Sequence, residues 1–117
     1  MFKRRKYMGN IVAETILQQL GGHQFIVMTG AKDFVADEKS LKFKLPRNAS
    51  QANYCKITLT PYDLYYLEFI KYTSGRFSAK TGKYSEPKWN CTKVFDGLYA
   101  SQLRTIFEQY TGLYTRL

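Results

Sequence analysis

The chain has 117 residues, of which 44% are hydrophobic and 16% aromatic, and its 18 basic residues against 9 acidic ones give a net charge of +9. This apolar content excludes low-complexity disorder, and the length is that of one domain of roughly 100–150 residues. No apolar run approaches the roughly 20 residues that span a bilayer, so we expect no membrane association. The positive charge favours a polyanionic partner, nucleic acid or an acidic protein surface, although it also serves solubility alone.

The N-terminal residues 1–9 form a basic arm, followed by a single domain over residues 10–117. The run Lys3-Arg4-Arg5-Lys6 would either bind phosphates or remain a solvated, disordered terminus. No continuous apolar segment follows it, so a signal peptide is not expected and the protein is predicted to be located in the cytoplasm. In "NIVAETILQQLGG" the apolar residues recur at helical spacing, which predicts a first helix capped by Asn10 and stopped by Gly21-Gly22.

After the first helix the apolar residues alternate, which is typical of strands. The segment "HQFIVMTG" predicts a short buried strand, and "KDFVADEKSLKFKLP" predicts a hairpin with a polar turn at residues 37–40. Two further strands are predicted in "YCKITLTP" and "DLYYLEFIKYTSG", and an edge strand in "KWNCTKVF". Residues 76–88 are polar and rich in lysine, which indicates an exposed hairpin or loop between the last two strands.

The C-terminal segment "DGLYASQLRTIFEQYTGLYTRL" predicts a second helix, because its aromatic and aliphatic residues recur at helical spacing. Asp96 is the predicted N-cap, and Gly112 predicts a Schellman end with Leu113 packed on the last turn. The predicted fold is therefore α+β. One antiparallel sheet of about four to six strands is packed on one face by an N-terminal and a C-terminal helix.

The sequence contains no motif for catalysis, a metal or a cofactor. His23 is the only histidine, and at the predicted helix–strand junction a lone histidine is more often a capping or packing residue than a ligand. Cys55 and Cys91 lack neighbouring metal ligands and are expected to be free thiols in a reducing compartment. There is no glycine-rich phosphate loop, and the carboxylates are scattered along the chain. We therefore expect a protein that is not an enzyme.

One face of the predicted sheet interleaves lysine with tyrosine. Lys42 and Lys44 alternate with core residues Leu41, Phe43 and Leu45, and the next two strands add further outward tyrosines and one lysine. This composition suits single-stranded DNA or RNA, because amines neutralise phosphates and aromatic rings stack on bases. The candidate nucleic-acid-binding residues, including those of the basic loop, are Lys42, Lys44, Arg47, Tyr54, Lys56, Tyr66, Tyr72, Arg76, Lys80, Lys83, Lys88 and Trp89.

Two other interpretations of these residues remain open. Tyrosine is a good strand former, and lysine on an exposed strand prevents edge-to-edge aggregation, so the pattern also suits a merely soluble sheet. The exposed aromatic residues also suit a protein-binding module. Its anchors would be Tyr110, Leu113 and Tyr114 if they are exposed rather than packed in the core. The oligomeric state is left open.

Three stretches, "FIVMTGAKDFV", "LKFKLPRNASQAN" and "FEQYTGLYTRL", carry a resemblance that spans roughly residues 10–117. The chain resembles a family of small, uncharacterised proteins encoded by bacteriophages and other mobile elements of bacteria. The resemblance implies a mobile-element origin and a location in the cytoplasm of the host cell. It also implies one of two roles, a nucleic-acid accessory protein or an inhibitor of host defence. It supplies no functional residue, and the positive charge argues against an inhibitor that mimics DNA.

Overall fold

The computed structural model of this chain describes residues 11–115. Within them lie three helices: α1 (Ile11–Leu20), α2 (Gly22–Thr29) and α3 (Ala100–Thr111). The seven strands are β1 (Lys32–Ala36), β2 (Ser40–Lys44), β3 (Tyr54–Leu59), β4 (Tyr65–Thr73), β5 (Arg76–Ser78), β6 (Lys83–Ser85) and β7 (Lys88–Leu98). The predicted basic arm at residues 1–9 and the N-cap Asn10 lie outside this range.

The strands form one antiparallel sheet of five strands in the order β1-β2-β3-β4-β7, with β5 and β6 as a separate two-stranded hairpin. The N-terminal and C-terminal helices pack on one face of the five-stranded sheet. This confirms the predicted α+β architecture, the edge position of the last strand and the exposed hairpin within residues 76–88. No helix in residues 11–115 has both the length and the apolar character needed to cross a bilayer.

The core lies between the helices and one face of the sheet, and aromatic rings form its centre. Phe43 of β2 meets Phe25 of α2 edge-on, with 5.4 Å between ring centroids, and lies 6.2 Å from Phe107 of α3. All three rings are fully buried. Burying such a side chain contributes about 1.5–3 kcal/mol, so this cluster is a main source of the stability that joins the helices to the sheet. Leu41 and Leu45 are also buried, which confirms the predicted core face of β2.

The segment "HQFIVMTG" is helical, so the predicted strand there is wrong. Gly21, at φ 129°, separates α1 from α2, and the two glycines redirect the chain rather than ending its helical region. The buried residues Phe25 and Thr29 lie four apart on one helical face, and Thr29 Oγ1 donates a 2.7 Å hydrogen bond to the Phe25 carbonyl. Periodicity does not distinguish a buried strand from a buried helix over so short an apolar run.

The C-terminal helix begins later than predicted, because β7 continues to Leu98. Asp96 is not its cap, since its carboxylate accepts a 2.8 Å hydrogen bond from the next backbone N–H, within the strand. The residue before the helix is Tyr99, whose N–H donates to Gln102 Oε1 at 2.8 Å. The helix ends at a left-handed Gly112, at φ 75°, and Leu113 packs against the core, as predicted. The predicted Schellman motif is wrong, because the Leu113 N–H donates to Thr111 Oγ1 and not to a helix carbonyl.

Candidate nucleic-acid interface

The sheet face opposite the helices is called the open face here. Residues directly opposite each other in an antiparallel pair lie on the same face, so the strand register defines its members. Lys42 lies opposite Lys56, which lies opposite Glu68. By this register the open face carries Lys32, Val35, Ser40, Lys42, Lys44, Tyr54, Lys56, Thr58, Tyr66, Glu68, Ile70, Tyr72, Trp89, Cys91 and Val94.

Three rings on the open face, those of Tyr54, Tyr72 and Trp89, form an aromatic cluster. Tyr72 and Trp89 lie opposite each other on β4 and β7, with ring centroids 4.3 Å apart. Tyr54 of β3 lies 5.1 Å from the Trp89 ring and 6.1 Å from the Tyr72 ring. The sequence predicted each of these residues separately as a contact for nucleic acid, and the structure brings them together.

Asn53, just before β3, fixes the backbone of Tyr72. Its side-chain amide donates a 2.8 Å hydrogen bond to the Tyr72 carbonyl, and its Oδ1 accepts a 2.7 Å hydrogen bond from the Tyr72 N–H. A side chain that bonds both groups of one residue holds the end of β4 against the start of β3. Asn53 therefore positions one wall of the aromatic cluster, a role that its place in a predicted loop did not indicate.

The ammonium group of Lys42 lies over this cluster. Its Nζ is 5.0 Å from the centre of the Trp89 ring and 5.9 Å from that of Tyr54. Both distances are within the roughly 6 Å of a cation–π contact, which contributes about 0.5–1 kcal/mol at an exposed site. The cluster thus combines a positive charge with ring surfaces, of which Trp89 keeps 53% of its area exposed.

A hollow of about 300 Å³ adjoins the cluster on the open face. Trp89 forms part of its lining, and Lys56 and Glu68 face each other across β3 and β4 beside it. The complete lining of this open-face hollow is Val35, Asp37, Ser40, Lys42, Lys56, Glu68, Ile70 and Trp89. The hollow therefore has apolar, cationic and anionic groups within reach of one small ligand.

Lys44 and Tyr66 extend the open face away from the cluster. Lys44 lies directly opposite Tyr54, and Lys32 of β1 lies opposite Lys44, so two lysines continue the row beyond the ring. Tyr66 is partly exposed on β4, two residues before Glu68. Partial loss of solvent raises the pKa of the Tyr66 phenol, and the negative charge of Glu68 raises that pKa further.

The predicted loop residues lie apart from the open face. Arg47 follows β2 and lines a second hollow of about 440 Å³ together with Asn53 and Lys71. The four basic residues of the hairpin region, all exposed, are Arg76, Lys80, Lys83 and Lys88. Arg76, Lys80 and Lys83 follow the end of β4 in the chain, whereas Lys88 begins β7 opposite Thr73 of β4. Arg47 belongs to a different surface.

Sequence reasoning missed Lys32 and Val35 as members of the open face. Alternation along β1 places residues 32 and 35 on opposite faces, but a register shift between them brings both to the same side. Asp33, between them, has a left-handed φ of 56°, which marks the irregularity. Glu68 was not among the predicted site residues, because its nearness to Lys56 and Trp89 depends on strand pairing.

Two cysteines and one histidine lie within the described residues 11–115. Residues 11–115 contain no group of three or more His, Cys, Asp or Glu side chains that could hold a metal ion. Both cysteines are free, as predicted, with Cys55 buried and Cys91 exposed. Burial raises the pKa of the Cys55 thiol well above its usual range, and the negative charge of Glu68 raises that pKa further. His23 lies exposed on α2 and is not packed in the core.

Two of the three anchors expected for a protein-binding surface are half-buried against the core. Tyr110 packs 4.5 Å from the ring of Phe69 and 5.7 Å from that of Phe95. Leu113 is half-buried against the core, and only Tyr114 is well exposed. These residues therefore form no continuous aromatic surface.

Comparisons with protein-family models, with curated proteins and with solved structures found no match to this chain. The mobile-element origin expected from the sequence resemblance stays a prediction.

Proposed function

We propose that this chain is a non-enzymatic accessory protein of a bacteriophage or other mobile element, which binds single-stranded nucleic acid through its open face. The observation that carries this proposal is the contact of Lys42 with the aromatic cluster. A cation and several partly exposed rings on the open face supply the two interactions that single strands need, charge neutralisation and base stacking.

The aromatic cluster is the proposed stacking platform. Trp89 is more than half exposed, and Tyr72 supports its ring from 4.3 Å. Stacking of a base on an aromatic side chain contributes about 1–3 kcal/mol and tolerates any base, because every base has a π-face. The support from Tyr72 holds the indole in place before binding, which reduces the entropy lost when a base stacks on it.

Lysines around the cluster are the proposed phosphate contacts. Lys44 lies opposite Tyr54, and Lys56 lines the open-face hollow. A strand whose bases stack on the cluster would place its phosphates among these amines. The basic hairpin beyond β4 would lengthen the same path.

A single strand is favoured over a duplex by the form of the surface. A sheet face with exposed rings contacts bases only when they are unstacked, as they are in single-stranded loops and ends. In a duplex the π-faces are covered by neighbouring base pairs, and only phosphates would remain for the lysines. We therefore expect duplex binding to be weaker and to depend on charge alone.

The test is fluorescence anisotropy with labelled single-stranded DNA, single-stranded RNA and duplex oligonucleotides, at about 50 mM and about 200 mM salt. We expect single strands to bind more tightly than duplex, with an affinity that falls steeply as salt rises. Failure to bind any oligonucleotide at low salt, or an affinity that salt does not change, would contradict the proposal.

A protein-binding module, including an inhibitor of a host defence system, is the alternative function. The exposed ring of Tyr114 favours it, but Tyr110 and Leu113 are half-buried against the core, which reduces the surface that two of its three expected anchors offer. Pull-down from a bacterial lysate with and without nuclease separates the two functions. A partner retained after nuclease treatment supports the alternative, whereas one lost with the nucleic acid supports the proposal above.

A further inference from the structure

The open-face hollow carries a pattern of groups more specific than a stacking platform. Glu68 and Lys56 are directly opposite each other on neighbouring strands, and both line the hollow next to Trp89. The Cβ atoms of such a pair lie about 4.5–5.5 Å apart, so their charged ends reach the same edge of one ligand. One side of the hollow therefore presents a carboxylate and an ammonium group side by side.

The carboxylate and the ammonium group match the hydrogen-bonding edge of guanine better than the edges of the other bases. Guanine has two adjacent donors, N1–H and the N2 amino group, next to the acceptor O6. A carboxylate accepts two hydrogen bonds through its two oxygens, and a lysine ammonium only donates. Cytosine and adenine each offer a single amino donor on this edge, and uracil or thymine offers one N–H between two carbonyl groups.

We propose that the open-face hollow binds an unpaired guanine base, with Glu68 accepting from N1–H and N2–H, Lys56 donating to O6, and the base stacked on Trp89. This inference rests on the proposed function, because it assigns a base to the same surface. Val35 and Ile70, which also line the hollow, supply apolar contacts for the ring system. Single-stranded RNA or DNA with an exposed guanine is the expected ligand.

The first test changes the ligand and leaves the protein intact. Binding is measured to oligothymidine strands that carry one central guanine, inosine, adenine, cytosine or thymine. We expect the guanine strand to bind roughly tenfold more tightly than the thymine strand, which is within the range for one bidentate contact. Inosine lacks the N2 amino group, so most of the preference should disappear with it.

The second test compares two variants that remove the same charge. Glu68→Gln should abolish the ratio of guanine to thymine affinity, because an amide has one acceptor and its NH₂ group would oppose the guanine donors. Glu86→Gln, in the exposed segment between β6 and β7, should keep that ratio. Circular dichroism and urea unfolding verify that both variants are folded.

The outcomes separate this inference from the proposed function. Guanine preference that is lost with inosine and with Glu68→Gln supports the guanine site. Salt-sensitive binding with equal affinity for all bases, or with a preference for another base, overturns the guanine site and leaves the nucleic-acid function standing. The absence of binding to every oligonucleotide overturns the proposed function and this inference with it.

Discussion

Lys42 and Trp89 are in contact across the width of the sheet. The Lys42 ammonium lies 5.0 Å from the centre of the indole ring, although their strands, β2 and β7, are separated by β3 and β4. The contact requires the indole to lie across the open face instead of projecting away from its edge. Trp89 therefore lies over the middle of the open face while keeping about half of its own surface exposed.

Replacing Trp89 should weaken binding without unfolding the protein. We expect Trp89→Ala to lose about 1–3 kcal/mol of the free energy of single-strand binding, because the main stacking surface is removed. As Trp89 is 53% exposed, the free energy of unfolding should change much less than for a core residue. Anisotropy titration and urea unfolding measure the two effects, and Tyr62→Ala, a residue that is 84% exposed outside the open face, is the matched control.

The fluorescence of Trp89 offers an independent check, because the chain contains one tryptophan. Stacking of a base on the indole should quench its emission in proportion to the oligonucleotide bound. Emission that stays constant while anisotropy reports binding would place the contact elsewhere on the protein.

Removing lysines from the open face should reduce the dependence of binding on salt. For a single strand the slope of log affinity against log salt changes by about 0.7 for each lost phosphate contact. The double variant Lys42→Gln, Lys44→Gln should therefore lower the slope by about 1.4 if both amines contact phosphates. Lys39→Gln combined with Lys93→Gln removes the same charge outside the open face, and an equal fall in slope for this control would show that only net charge matters.

Phe43 is expected to be among the most sensitive positions of the core. It is fully buried and its ring lies 5.4 Å from Phe25, 5.2 Å from Phe34 and 6.2 Å from Phe107. Phe43→Ala should lower the free energy of unfolding by about 3–5 kcal/mol, because it leaves a cavity between helices and sheet. Urea unfolding measures this loss. Phe77→Ala, at an exposed position of the hairpin, should stay within about 0.5 kcal/mol, and a similar loss there would refute the assigned core.

Cys55 should make the protein less stable at alkaline pH. Burial raises the pKa of its thiol in the folded state, whereas the unfolded chain releases the proton near its ordinary pKa of about 8.5. Above that pH the unfolded state binds fewer protons than the folded state, so the free energy of unfolding falls as pH rises. Below it both states keep the proton and this contribution is fully present.

The measurement is urea unfolding between about pH 7 and about pH 9.5, under reducing conditions. Cys55→Ala should show a smaller decrease over this range than the wild-type chain, whereas Cys91→Ala should show the full decrease. An identical decrease in all three proteins would contradict the assigned role of Cys55. Thiol labelling of the native protein should modify the exposed Cys91 and spare Cys55 until the chain unfolds.

Those parts of the fold that depend on a few consecutive residues could be predicted from the sequence. The alternation of Lys42 and Lys44 with buried Leu41 and Phe43 is a property of four consecutive residues, and the structure has that strand as predicted. The strand predicted around Phe25 failed because a short apolar run packs equally well as a helix, and the choice depends on neighbours distant in the chain. Local pattern thus identified most strands but not the second helix.

The sequence predicted several residues of the candidate site, but it did not predict which of them would meet. Tyr54, Tyr72 and Trp89 were each expected on an exposed surface, but their meeting depends on the pairing of β4 with β3 and β7. The position of Lys32 on the open face depends on an irregularity in β1 that the alternation of side chains does not reveal. Arg47, although close in sequence to Lys44, lies on a separate surface because the chain turns after β2.

Photochemical cross-linking followed by peptide mapping tests the central claim most directly. A single-stranded oligonucleotide carrying a photoreactive base is bound to the intact protein at low salt, irradiated and mapped by mass spectrometry. The open-face account predicts adducts on the peptides that contain Tyr54, Tyr72 or Trp89, and their loss when unlabelled single strand competes. Adducts confined to the helices, with those three peptides unmodified, would contradict it.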